Sequence, residues 1–151
     1  MHKQWRLKAQ FGEEKKVIAD IKQIFSVSDL YIERVEDMMT AVAEACLNAF
    51  EHGNRLRADS QVCVHMNWQD NVVCIRIYDE GTGFEYTSDI ACQRLENPSG
   101  TSDRGWGMLI ISNLADKAST GFEQNSFFLE MSFYAKERTS HVGKSIDRIY
   151  S

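Results

Sequence analysis

The segment EACLNAFEHG, residues 44–53, constrains the fold of this sequence more than any other stretch. Within it Glu44, Asn48 and His52 recur every four residues, and in an α-helix such positions are rotated by only about 40° from one another. The three polar side chains therefore share one stripe. Alanines flank that stripe, and residues 37–54 contain no lysine or arginine, which usually cover a solvent-facing helix. The pattern favours a functional polar stripe over a solvated helix face.

Hydrophobic periodicity on either side of this segment predicts a domain with both helices and strands. The segment itself belongs to a helix over residues 30–52, which Gly53-Asn54 ends. The other predicted elements are a strand over 4–10, a helix over 12–25, a hairpin with strands over 61–68 and 71–78, a helix over 106–115 and a strand over 126–135. Because helices and strands do not alternate strictly, we expect an α+β fold, a two-layer α/β sandwich with helices on one face of a mixed, mostly antiparallel sheet.

Composition is typical of a single globular domain. The chain has 151 residues, of which 43% are hydrophobic, and is long enough to bury a core of its own. Its 17 basic and 22 acidic residues form no long run of either sign, which argues against a nucleic-acid partner. No apolar stretch approaches the ~20 residues that span a bilayer, and we expect a cytoplasmic protein with no membrane partner. Four scattered cysteines are expected to be reduced packing residues: Cys46, Cys63, Cys74 and Cys92.

A first glycine-containing segment, DEGTGF at residues 79–84, directly follows a β-rich run. The carboxylate of Asp79 at a strand end can accept hydrogen bonds from an amino group. Gly81 and Gly83 beside it would let a flat ring approach the backbone. The combination suits a purine base, whereas an ordinary glycine turn after a strand is the alternative.

A second segment, RGWGM at residues 104–108, opens the helix that follows a loop or lid over residues 79–104. Gly105 and Gly107 would expose backbone N–H groups at the positive end of the helix dipole, which suits phosphate oxygens. Arg104 could add a positive charge. The spacing is neither that of a P-loop nor that of a Rossmann fingerprint. A glycine hinge for the lid is compatible with this function.

Taken together, the three segments resemble the N box and the two glycine boxes of the Bergerat-fold (GHKL) ATPases. Within that superfamily the chain is similar to the bacterial anti-sigma-factor serine/threonine protein kinases, on the pattern E-A-x-x-N-A-x-x-H-G, the short lid and coverage of residues 4–135. The resemblance implies a kinase domain over residues 1–135 followed by a polar tail over 136–151. Trp106 departs from it, because a smaller residue is expected inside the second glycine box.

The resemblance also implies roles for individual residues. Asn48 would coordinate Mg²⁺, Glu44 would be the general base, and Asp79 would bind the adenine amino group. The residues implied in ATP binding are Asn48, His52, Asp79, Gly81, Gly83, Arg104, Gly105, Gly107 and Ser126, the last where relatives often carry a threonine beside the adenine.

The implied function is that of a homodimeric anti-sigma factor and ATP-dependent serine kinase. Its substrate would be an anti-anti-sigma (STAS-type) protein, and its other partner a sigma factor. One alternative is a nucleotide-gated binding module that sequesters a protein without phosphoryl transfer, and another is a kinase outside any sigma system. Glu44 favours an enzyme over the binding module, because nucleotide binding alone needs no general base.

Overall fold

The computed structural model describes residues 1–28, 31–57, 59–81 and 103–135. These residues contain three helices and five strands. A π-helical turn, Ala49–Gly53, continues the second helix. In chain order the elements are β1 (His2–Lys8), α1 (Glu14–Phe25), α2 (Val35–Asn48), β2 (Gln61–Gln69), β3 (Val72–Asp79), α3 (Asp103–Leu114), β4 (Lys117–Glu123) and β5 (Ser126–Tyr134).

The strands form one open sheet in the order β1-β2-β3-β5-β4, and every neighbouring pair is antiparallel. Alternate strand residues such as Val73, Ile75 and Ile77 are buried, which places a single core on one face of the sheet. The three helices supply the other half of that core through Ile21, Val17, Phe25, Met38, Val42, Cys46, Met108 and Ile111. The predicted α+β two-layer sandwich is confirmed, with antiparallel pairing throughout the described sheet.

The opposite face of the sheet, which we call the open face, carries polar and aromatic side chains. Arg76 forms ion pairs with Glu123 and Glu130, and its guanidinium lies 4.3 Å from the ring centroid of Phe128. The hydroxyl of Tyr78 donates a hydrogen bond to Glu123 (3.0 Å). Arg76, Tyr78 and Phe128 are only partly buried, whereas the adjacent residues along each strand face the core and are buried.

Most predicted elements lie where the sequence indicated, and one strand was missed. The predicted helix over 30–52 is α2 with its π-helical turn, and the helix predicted over 106–115 begins earlier, at Asp103. Strand β4 was not predicted, because Gly121 and the half-buried Ala118 and Thr120 give it a weak alternating pattern. A two-residue turn follows it, and both turn residues have positive φ, as type I′ hairpins require.

Several sequence predictions fall partly outside the described residues. Residues 82–102 of the loop or lid predicted for 79–104 lie outside the described residues. Cys92 and the tail 136–151 also lie outside them. Cys46, Cys63 and Cys74 carry free thiols, and burial raises the pKa of the Cys46 thiol. No helix in the described ranges is long and apolar enough to cross a membrane.

A buried arginine joins the start of α2 to the end of α3. Arg34 Nη2 donates to the carbonyl of Leu114 (3.1 Å) and to Asp116 Oδ2 (2.7 Å), and Nη1 donates to Asp37 Oδ2 (2.9 Å). Its guanidinium also lies 5.6 Å from the ring centroid of Phe133. Because the carbonyls of a last helical turn have no partner within the helix, this arginine caps α3 and holds it against α2.

We expect Arg34→Met to lower the free energy of unfolding by about 2 kcal/mol. The loss is smaller than for a fully buried pair, because the Asp37 and Asp116 side chains are about a third exposed and keep some hydration. Urea denaturation followed by circular dichroism measures it. Lys16→Met, which removes an exposed ion pair with Glu13, is the control and should change little. Equal urea denaturation midpoints for the two variants would contradict the stabilising role of Arg34.

Candidate nucleotide-binding site

Asn48, the last residue of α2, lies against the backbone of α3. A Cβ atom at position 107 would lie only 2.6 Å from Asn48 Nδ2, so glycine is what allows the two helices to approach here. Among the described residues, Asn48 Nδ2 is buried and has no hydrogen-bond partner. Buried polar atoms without a protein partner are uncommon, and a bound ligand is one explanation for them. The amide of Asn48 is thus suited to a ligand at the start of α3.

Asp79, the last residue of β3, is enclosed by two glycines. A Cβ atom on Gly53 would lie 2.7 Å from Asp79 Oδ1, and a Cβ atom on Gly81 would lie 2.8 Å from the Cα atom of Gly53. The N–H of Gly81 donates to Asp79 Oδ1 (2.7 Å). The carboxylate is consequently held at the end of the sheet, with the residue only 7% exposed.

A small pocket connects these two polar positions. Asn48 and Asp79 are the polar residues of its lining, and the remaining residues are small or apolar. Ala45 and Ala49 place no atoms beyond Cβ on the helix side of the pocket. The complete lining is Ala45, Asn48, Ala49, Ile77, Asp79, Phe127 and Leu129. Apolar walls with a few converging polar groups are typical of sites for small aromatic ligands.

The π-helical turn brings the end of α2 to the sheet. The N–H of Asn54 donates to the carbonyl of Ala49 (2.8 Å), five residues earlier, instead of four as in an α-helix. The wider turn interrupts the α-helical stripe predicted for Glu44, Asn48 and His52 after its second member. His52 is half-buried, and its Nε2 atom is buried with no hydrogen-bond partner in the described part of the chain.

The other predicted site residues are described to different degrees. Glu44 is half-buried on α2, one turn before Asn48. Arg104 and Gly105 belong to the first turn of α3, where the structure describes the backbone alone. Gly83 lies outside the described residues.

Ser126 lies outside the pocket lined by Asn48 and Asp79, and its position beside the adenine stays a prediction. Ser126 lines a depression on the open face together with His65 and Tyr78, whereas Phe127 lines the pocket and pairs with Asp79 across β3 and β5. The reason is the two-residue period of a strand, which turns successive side chains to opposite faces. The alternation of large apolar residues from Phe127 onward already contained this signal.

The residues present fit a magnesium ion bound chiefly through phosphates. In the described ranges no group of three or more His, Cys, Asp or Glu side chains could hold a metal ion. Mg²⁺ in nucleotide sites, however, commonly takes one or two protein oxygens, and phosphates and water supply the remaining ligands. Asn48, whose buried amide faces α3, could provide such an oxygen.

Comparisons with known proteins identify the family of this chain. Residues 8–131 match the family described as histidine kinase-like ATPase domain. The anti-sigma F factor of Bacillus velezensis is 27% identical over 88 residues, which are 58% of this chain and 60% of that protein. The anti-sigma F factor of Lysinibacillus sphaericus is 28% identical over 89 residues, 59% of this chain and 61% of that protein. The chain thus spans about three fifths of these relatives.

Two solved structures share the fold. The crystal structure of the RsbU and RsbW domains of a Mycobacterium tuberculosis protein has a TM-score of 0.63 at 15% identity, covering 89% of this chain and 32% of that one. The catalytic domain of the histidine kinase ThkA has a TM-score of 0.50 at 10% identity, covering 89% of this chain and 96% of the other.

The matched region contains all three segments singled out in the sequence, residues 44–53, 79–84 and 104–108. Membership of an ATPase family implies that the domain binds a nucleotide. The chain therefore belongs to the histidine kinase-like ATPase domain family, the GHKL group indicated by its N box and glycine boxes, and within that group it resembles the anti-sigma factors.

Proposed function

We propose that this protein binds ATP with Mg²⁺ between Asn48 and Asp79 and transfers the γ-phosphoryl group to a serine of an anti-anti-sigma protein. The observation that carries the proposal is Asn48 Nδ2 beside Gly107, a buried atom with no hydrogen-bond partner among the described residues. It supports a ligand that contacts the Asn48 amide next to α3. The family match and the two anti-sigma F relatives support the choice of nucleotide and of pathway.

Asp79 would select the base. Its carboxylate is held by the N–H of Gly81 and can accept a hydrogen bond from an exocyclic amino group. Adenine presents such an amino group at the position where guanine presents a carbonyl oxygen, which a carboxylate repels. Adenine is therefore the base whose hydrogen-bonding groups match the Asp79 carboxylate.

The other end of the pocket suits the phosphates. Backbone N–H groups at the start of α3 and the positive end of its dipole favour negative charge, and Gly107 keeps that backbone close to Asn48. The Asn48 amide would supply an oxygen to Mg²⁺. When bound, the ion would neutralise phosphate charge during the transfer.

Glu44 would accept the proton of the serine hydroxyl. It lies one helical turn before Asn48, so both side chains share one stripe of α2. The serine oxygen forms a bond to the γ-phosphorus, the bond to the ADP oxygen breaks, and the proton passes to the Glu44 carboxylate. Positioning and charge neutralisation would provide most of the rate enhancement.

A sigma factor is the proposed second partner, because two relatives are named anti-sigma F factors. Phosphorylation of the antagonist would prevent it from binding and so leave the kinase available to the sigma factor. We further propose that the protein works as a homodimer in the cytoplasm.

Incubation with labelled ATP, Mg²⁺ and the sigma factors and STAS-type proteins of the same genome tests these proposals together. We expect phosphoserine on one STAS-type protein and a stable complex with one sigma factor. A nucleotide-dependent complex without any phosphoryl transfer would identify a binding module instead. Failure to bind ATP would overturn the proposal.

Glu44→Gln should abolish phosphoryl transfer and leave ATP affinity within about twofold, because the amide cannot accept the proton and binding does not require it. Initial rates of phosphorylation and calorimetric titration with ATP measure the two effects. Glu51→Gln is the matched control, since Glu51 is exposed on the π-helical turn. Transfer by Glu44→Gln at the wild-type rate would show that Glu44 is not the base.

Asn48→Ala should remove the magnesium dependence of ATP binding. We expect ATP affinity in Mg²⁺ to fall about tenfold or more, to the value measured in EDTA. Packing should persist, since alanine leaves the backbone of Gly107 unobstructed. Calorimetry with and without Mg²⁺ measures the effect, and Asn113→Ala, an exposed position on α3, is the control. A variant that keeps the wild-type response to Mg²⁺ would contradict the role of Asn48.

Asp79→Asn should weaken ATP binding about tenfold or more, because a neutral amide accepts a weaker hydrogen bond than a carboxylate does. Asparagine has nearly the same volume, so the contacts with Gly53 and Gly81 should be retained. Calorimetric titration with ATP and GTP is the measurement. The control is Asp70→Asn, in an exposed turn with positive φ, where asparagine is well tolerated. Unchanged ATP affinity would overturn the assignment of Asp79 to the base.

A further inference from the structure

Asn54 directly follows Gly53 at the end of the π-helical turn, and its side chain is fully buried, with 0% exposure. Both ends of its amide are used. Nδ2 donates to the carbonyl of Gln61 (2.9 Å), and Oδ1 accepts from the N–H of Glu80 (2.8 Å). One buried side chain thereby joins the end of the helix, the start of β2 and the turn after β3.

The hydrogen bond between Asn54 and the N–H of Glu80 affects the orientation of Asp79. The N–H of Glu80 belongs to the peptide group that links it to Asp79, and a peptide group is planar, so fixing this N–H fixes the orientation of the whole link. The next N–H, that of Gly81, donates to Asp79 Oδ1. Gly53, the neighbour of Asn54, packs against the same carboxylate. Asn54 therefore orients the turn that orients the carboxylate.

A second, weaker connection spans the same segments. Arg57 Nε donates to the carbonyl of Asn54 (3.2 Å), and Arg57 Nη2 lies 3.4 Å from Glu80 Oε2. Both charged side chains are more than half exposed, so solvent screens their attraction. The buried amide of Asn54 is the connection expected to hold the turn, since water does not compete for its hydrogen bonds.

We propose that Asn54 is a positioning residue that sets the base selectivity of the nucleotide site by orienting the Asp79 carboxylate through the Glu80 N–H. The inference rests on the proposed function, in which Asp79 binds the base. Asn54 does not line the pocket. Its removal leaves the Asp79 side chain present but lets the turn rotate, so the carboxylate no longer distinguishes an amino group from a carbonyl oxygen.

Two variants remove the same hydrogen bond from opposite sides. Asn54→Ala deletes the acceptor. Glu80→Pro deletes the donor, because proline has no N–H, while the bond from Asn54 to Gln61 is kept. Proline also favours an extended residue before it, which matches Asp79 at the end of β3.

The measurement is the ratio of the dissociation constants for GTP and ATP, obtained by calorimetry at fixed Mg²⁺. We expect Asn54→Ala and Glu80→Pro each to lower this ratio about tenfold. Glu80→Ala, which keeps the N–H and loses only the exposed contact with Arg57, should retain the wild-type ratio. Asn71→Ala, an exposed asparagine at the other end of β3, should also retain it. If Asn54→Ala does not fold, Glu80→Pro decides the question.

The outcomes separate the two levels of the proposal. Wild-type protein that binds no ATP, or does not prefer it to GTP, would overturn the proposed function, and the role of Asn54 with it. A wild-type preference that survives in a folded Glu80→Pro variant would overturn the role of Asn54 alone. Equal weakening of ATP and GTP would do the same, since it would indicate a structural role without effect on selectivity.

Discussion

The close approach of Gly53 to Asp79 is the contact on which the rest of the site depends. It brings the end of a helix against the end of a strand with no side chain between them, because any Cβ atom there would collide with the carboxylate. A similar contact joins Gly107 to Asn48. These two contacts determine where α2 lies relative to the sheet and to α3, and the pocket is the space that remains between them.

The π-helical turn makes the first of these contacts compatible with a straight helix. Continuing α2 as an ordinary α-helix would give its last residues a different rotation, whereas one wider turn lets Gly53 and Asn54 reach the strands. Isolated π turns have poorer packing than α-helical ones and occur often at functional sites. Here the hydrogen bonds of Asn54 to Gln61 and Glu80 stabilise the turn and link it to the residue proposed to bind the base.

The sheet determines which strand residues line the pocket, because only one of its faces is covered. Helices pack on that face only, so residues on adjacent strand positions have different environments: Phe127 closes the pocket and Ser126 belongs to the open face. Arg34 acts at the far end of the helices, where it caps α3 and keeps it beside α2. The orientation of α3, and therefore the position of Gly107 at its other end, depends on interactions at both ends of the helix pair.

Much of this could be predicted from the sequence, because local patterns carry it. Periodicity predicted the helices and four of the five strands, and the resemblance to the N box and glycine boxes indicated the family. The sequence could not give β4, whose half-buried residues alternate weakly, or the π-helical turn, whose hydrogen bonds differ from those of an α-helix by one residue. Nor could resemblance alone decide the face of the sheet on which Ser126 lies, because a shift of one residue along a strand exchanges the two faces.

The sequence by itself determined the fold class, the family and the residues at the two ends of the pocket. Only the tertiary structure decided how those residues are held. Arg34 contacts residues about 80 positions away along the chain, and Asn54 contacts one 26 positions away. Such partners carry no local signal, since a buried hydrogen bond needs its donor and acceptor to meet in space and imposes no spacing on the sequence.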